Sequence, residues 1–279
     1  MMKIIVVKTL VIAQWLLFGI GFFLLILNIS GFFLSMRNKN IYNEVTNHGN
    51  KFSMSEKQFY KAIKRGSESD EDYVIKVNNA VSESIANYWS DEGITKYNLR
   101  VPAFENYLLF LASFINPHDY KKYQFCNYKK AVERGVGLCS QKAIVVSEIL
   151  RENGFDSKIL GLDGHVVATV KFADGKEWVV GPDYGVVIKQ DIGTIEKNPE
   201  IVREYYEEKY KNTETLDLMV KFFGKEGNRV FNRAAEYCNY DNENLSYKLI
   251  WLIPIVFMAP FFIRYYIVRW GKHNPKKTN

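Results

Sequence analysis

From Leu10 to Leu34 the chain reads LVIAQWLLFGIGFFLLILNISGFFL without one charged residue. At about 1.5 Å per helical residue this run exceeds a hydrocarbon core of roughly 30 Å. Peptide groups in lipid must bond within their own segment, so the run is expected to be a transmembrane helix. It is longer than a signal-peptide core and no A-x-A-like cleavage site follows, which makes it an uncleaved anchor. A second apolar run, Leu249 to Ile263, is extended by Tyr265 to Val268 when Arg264 snorkels toward the headgroups. Pro254 and Pro260 interrupt it. Proline is tolerated in such helices where neighbouring groups take up the freed carbonyls.

Two spans place both termini on one side of the bilayer. The tail carries Arg269, Lys272, Lys276 and Lys277, which assigns that side to the cytoplasm. The first span argues less clearly, since Lys3 and Lys8 before it are matched by Arg37 and Lys39 after it. The expected organisation is a membrane anchor over 1–36, an extracytoplasmic domain over 37–246, and a second membrane helix with a basic tail over 247–279. The lipid bilayer is thus the first expected partner, and the domain faces the periplasm or the exterior.

The net charge of +6 does not point to nucleic acid, because part of the excess flanks the membrane and the middle mixes lysines with acidic runs such as Glu68 to Asp72. Three cysteines, Cys126, Cys139 and Cys238, are too few for a disulfide framework or a CxxC metal site. At most Cys126 and Cys238 bridge in an oxidising compartment and leave Cys139 free. No metal, nucleotide or other cofactor signature is present.

The middle opens with helical patterning from Ser53 to about Asp91, where Val74, Val77, Val81 and Ile85 share a face. ENYLLFLASFI, Glu105 to Ile115, is too short to span a bilayer and is expected as a buried core helix stopped by Asn116 and Pro117. Between Gly135 and Ile188 the texture changes. QKAIVVSEILRE, Gln141 to Glu152, is an amphipathic helix with Ala143, Val146 and Leu150 on one face, ended by Asn153 and Gly154. A short strand follows at Lys158 to Leu160. HVVATVKF then alternates Val166, Ala168, Val170 and Phe172 against His165, Val167, Thr169 and Lys171, and ADGK turns it into EWVV. The remainder toward the second span is mostly helical.

Cys139, in GVGLCSQKA, directly precedes that helix. A thiol there feels the positive end of the helix dipole and unpaired N–H groups, which favour the thiolate and can hold an oxyanion. His165 begins the second strand on the side away from Val166, Ala168 and Val170, placed to act as a general base. Asp183 in GPDYG ends the next strand, where it can orient an imidazole. Singly these are a packing cysteine, a strand-end histidine and a turn aspartate. Jointly, a thiol, an imidazole and a carboxylate in this structural order point to acyl transfer through a thioester.

The stretch GLCSQKAIVVSEILRENGFDSKILGLDGHVVATVKFADGKEWVVGPDYG resembles the core of the transglutaminase-like superfamily, over roughly Tyr128 to Ile188. Gly137 and Cys139, Gly154, His165 and Trp178 match that family's pattern. The resemblance implies an α+β fold with a helix packed on an antiparallel sheet and a papain-like Cys-His-Asp arrangement. It implies a cysteine enzyme for acyl transfer, amide or ester hydrolysis or crosslinking, acting on a protein, peptide or surface polymer. One position departs: the family's aspartate directly precedes a proline, whereas here Gly181 precedes Pro182 and Asp183 follows. Asp183 either reaches the histidine after a register shift or is a turn residue. The second oxyanion donor is open among Gln124, Asn127 and Gln141.

The leading expectation is therefore a membrane-tethered thiol enzyme on a cell-envelope substrate, bacterial by analogy. The alternative is a domain that keeps this fold as a binding or scaffold module beside envelope-assembly or surface-polysaccharide proteins. A membrane sensor ranks last, because the short tails leave no room for a signalling domain.

Overall fold

The protein is described by a computed structural model covering residues 2–44, 52–224 and 228–273. His48, Lys276 and Lys277 lie outside these residues. The chain divides into two compact units, one of 1–34, 101–120 and 244–279, the other of 35–100 and 121–243.

In the first unit, two helices are long and apolar enough to cross a membrane, Lys8–Gly31 and Tyr240–Trp270. Both prolines sit inside the second helix. Pro254 has no N–H for the carbonyl of Ile250, four residues back, and that carbonyl is taken by two side chains. The Asn28 amide donates to it at 2.6 Å and the Tyr107 hydroxyl at 3.1 Å. The helices approach closely at Gly21, where a Cβ would lie 2.7 Å from the Pro254 carbonyl oxygen.

Tyr107 belongs to the apolar helix Ala103–Ile115. This helix groups with the two long ones, and a Cβ at Gly31 would lie against the Phe104 carbonyl. It is only half covered: Tyr107, Leu109 and Ser113 are buried, whereas Leu111, Phe114 and Ile115 are exposed. The expectation of a buried core helix inside the aqueous domain is corrected accordingly. Its residues group with the unit that holds the long helices.

The second unit is a mixture of helices and antiparallel sheet. A two-residue parallel pair, β1 (Ala86–Asn87) and β2 (Val136–Gly137), sets Asn87 opposite Gly137. Five further strands are β3 (Asp156–Gly161), β4 (Val166–Lys171), β5 (Glu177–Gly181), β6 (Val186–Ile188) and β7 (Arg229–Phe231). They form one antiparallel sheet in the order β6-β5-β4-β3-β7. The β4 to β5 turn is the expected one, with Gly175 at φ +89°, a value glycine adopts without Cβ strain.

Alternate residues of β4 enter different cores. Ala168 and Val170 pack with Val146, Ile149 and Leu150 of the helix Cys139–Glu152, and with Val77 and Val81 of the helix Asp70–Ser84. Val167 packs instead with Val179, Tyr206, Met219 and Phe223, the last three from the helices Ile201–Glu207 and Thr213–Phe223. Both faces of β4 are thus covered. The helix Cys139–Glu152 is likewise enclosed: Ser140, Gln141, Lys142 and Ser147 are as buried as its apolar residues. It ends as expected, capped at Asn153 with Gly154 at φ +87°.

A disulfide joins Cys126 to Cys238 and leaves Cys139 as the free thiol. The bridge closes a loop of sequence separation 112. The Glu243 carboxylate accepts from the backbone N–H groups of Cys126 and Asn127 at 2.8 and 2.9 Å beside it.

Candidate active site

Cys139 is the first residue of its helix, and the preceding Leu138 offers no side-chain cap. The first-turn N–H groups are therefore open to other acceptors. The half-buried sulfur faces the backbone N–H groups of Ser140 and Val166. Val166 opens β4 and directly follows His165, so the strand start that carries the imidazole also touches the thiol. These contacts do not produce the expected thiolate. Burial pushes the Cys139 thiol above its ordinary range, the Asp183 charge adds to this, and the two N–H groups and Lys142 offset only part of it.

His165 is set by a tight turn. The N–H of Leu162 donates to the His165 carbonyl at 2.8 Å, and Gly164 holds φ +89°. The imidazole is 4% exposed. Phe222 stacks on it at 5.6 Å between centroids with planes 16° apart, and Tyr184 meets it edge-on at 5.8 Å. The Phe222 ring also fills the space beside Gly164, where a Cβ would lie 2.9 Å from it.

Asp183 lies in the turn between β5 and β6, 2% exposed. Its Oδ1 is 3.1 Å from the Lys142 Nζ, and its Oδ2 accepts from the Asn87 amide at 3.0 Å. The carboxylate therefore meets an ammonium and an amide that sequence reasoning did not assign to the site. Lys142 lies one helical turn beyond Cys139, on the same side of the helix. Asn87 arrives through its pairing opposite Gly137, two residues before Cys139. Directly before Pro182 stands Gly181, where a Cβ would lie 3.1 Å from the Tyr206 hydroxyl and 3.3 Å from the Val186 carbonyl. Neighbouring atoms occupy the space that an aspartate would need there.

Of the three oxyanion candidates, two are committed elsewhere. The Gln141 side chain accepts from the N–H of Phe125 at 2.6 Å and donates to its carbonyl at 2.8 Å. Asn127 caps the helix Tyr128–Arg134 through the N–H of Lys129. Gln124 remains, in the segment that Gln141 ties to the Cys139 helix.

The structure thus brings Cys139, His165 and Asp183 into one neighbourhood and adds Lys142, Asn87, Tyr184 and Phe222. A charge at Lys142 within the helix pattern was the one available signal for that residue. Phe222 sits in a stretch readable only as helix, and nothing local marks it. Among the described residues no three His, Cys, Asp or Glu side chains could hold a metal ion together. No protein-family model, curated protein or solved structure matches the chain.

Proposed function

We propose that the protein is a membrane-anchored cysteine enzyme of the transglutaminase-like kind, with Cys139 as nucleophile and His165 as general base. The observation that carries this reading is the Cys139 sulfur at an uncapped helix start, against the N–H of the residue that follows His165. The Cys139 proton leaves for the imidazole as the sulfur attacks a carbonyl carbon. The new C–S bond forms, the carbonyl electron pair moves onto oxygen, and first-turn N–H groups face that charge. Collapse breaks the bond to the leaving group, which takes the proton from His165. Water or an amine then releases the acyl group.

The two apolar helices support tethering to a bilayer, with both termini cytoplasmic. The Cys126–Cys238 bridge supports an oxidising compartment for the domain. A protein, peptide or surface polymer of the cell envelope is then the substrate class within reach.

A second reading, a binding or scaffold module, is favoured by the engagement of Asp183 with Lys142 and Asn87. The test is acyl-enzyme trapping. The full chain in detergent is mixed with p-nitrophenyl acetate and the acetylated peptide is located by mass spectrometry. One acetyl group on Cys139, absent from Cys139→Ala and turned over with time, is expected for the enzyme. Acetylation confined to lysines would leave the binding module.

A further inference from the structure

Lys142 is the one fully buried lysine beside the reactive thiol among the described residues, and the chemistry above does not use it. A lysine is rarely enclosed in this way unless it is paired, because its charge loses hydration. Here the pairing is to Asp183 at 3.1 Å, with a longer contact of 3.4 Å from Nζ to the Asp183 carbonyl oxygen. Asn87 completes the carboxylate from the other side at 3.0 Å.

We propose that Lys142 is a positioning residue of the Cys139 site: it fixes the Asp183 carboxylate against Asn87 and counters that carboxylate's charge beside the Cys139 sulfur. This rests on the reading of Cys139 as nucleophile. An unbalanced carboxylate near the sulfur would oppose each step that puts negative charge on it, whereas a neutral pair lets the thiolate form when substrate arrives. The signs agree with the surroundings, since the Asp183 charge pushes the Cys139 thiol up and the Lys142 charge pulls it down. Tyr184 and Tyr206 near Asp183 and Tyr237 near Cys139 are held neutral by burial, Tyr184 also meets the His165 imidazole, and Lys209 donates to the Gly185 carbonyl in the same turn. Burial pushes the Lys142 ammonium down from its ordinary range, and the Asp183 charge opposes that shift.

The test follows the pH midpoint of Cys139 alkylation by iodoacetamide in the full chain in detergent. In Lys142→Met the midpoint should rise by about one pH unit, slowing alkylation about tenfold at pH 8. The double variant Lys142→Met/Asp183→Asn removes both charges and should return to within about threefold of the parent rate. A merely structural lysine would give a double variant no faster than the single one. That result, or an unmoved midpoint in the single variant, overturns the proposal. If Lys142→Met fails to fold by circular dichroism, Asp183→Asn decides: its unopposed lysine should lower the midpoint, and an unchanged or raised one contradicts the assignment. The midpoint belongs to the thiol and needs no turnover, so its failure is separate from a failure of Cys139 to form an acyl-enzyme.

Discussion

Lys142 and Asp183 form an ion pair of 3.1 Å with side chains 0% and 3% exposed. In such a pair each charge has lost its water, and removing one partner strands the other. Lys142→Met is therefore expected to destabilise the full chain by about 3–5 kcal/mol, whereas the double neutral variant should lie much closer to the parent. Denaturant unfolding followed by circular dichroism measures both. Equal losses in the two variants would mean that packing, not charge, dominates at this position.

The Cys139 thiol should titrate above the ordinary value of about 8.5 in the folded chain and return to it on unfolding. At pH 8 the unfolded chain should then be alkylated faster at this residue than the folded one. The sign for stability follows. A raised folded pKa gives a contribution that is complete below the unfolded value and is lost as pH rises through the folded value. The window thus lies above about pH 8.5. A folded midpoint below that of the unfolded chain would reverse the assignment.

The Phe222 ring covers the imidazole of His165. Phe222→Ala frees the ring to rotate, and misplacement of the proposed base should cost on the order of 10²-fold in the limit. A loss of about tenfold or more in Cys139 acetylation is expected, with circular dichroism retained. An unchanged rate would make Phe222 a packing residue only. Phe222 also marks where sequence reasoning stopped. The strand alternation around His165 was legible because β4 repeats every two residues. Phe222 arrives from a helix more than fifty positions away, and no local periodicity records which side chain that helix brings.

Gly181→Asp places a carboxylate directly before Pro182. A Cβ there would press on the Tyr206 hydroxyl and the Val186 carbonyl. Overpacking of this kind costs about 1–3 kcal/mol, so the variant should unfold earlier without gaining acetylation rate. A faster, equally stable variant would show that a carboxylate at position 181 can serve the site. The departure at Gly181 was visible in the sequence. Its reason was not, because the obstructing Tyr206 comes from a helix on the far side of the sheet, whose position depends on tertiary packing.

Reducing the Cys126–Cys238 bridge, or replacing Cys238 by Ser, should cost about 2–5 kcal/mol, because the bridge closes a long loop. Cys139 should alkylate without prior reduction. The pairing was readable only as an option from the spacing of three cysteines. The proline carbonyl at Ile250 was anticipated as a need, while Asn28 and Tyr107, which meet it, depend on how the apolar helices cross.

The pairing of Cys139 with His165 is tested most directly by the pH–rate profile of Cys139 acetylation by p-nitrophenyl acetate, compared between the parent chain and His165→Ala. A general base contributes about 10²–10⁴-fold, so the variant should lose at least about a hundredfold near neutral pH and follow only the thiolate fraction at high pH. Identical profiles for the two proteins would contradict the assignment of His165 as the base that takes the proton of Cys139.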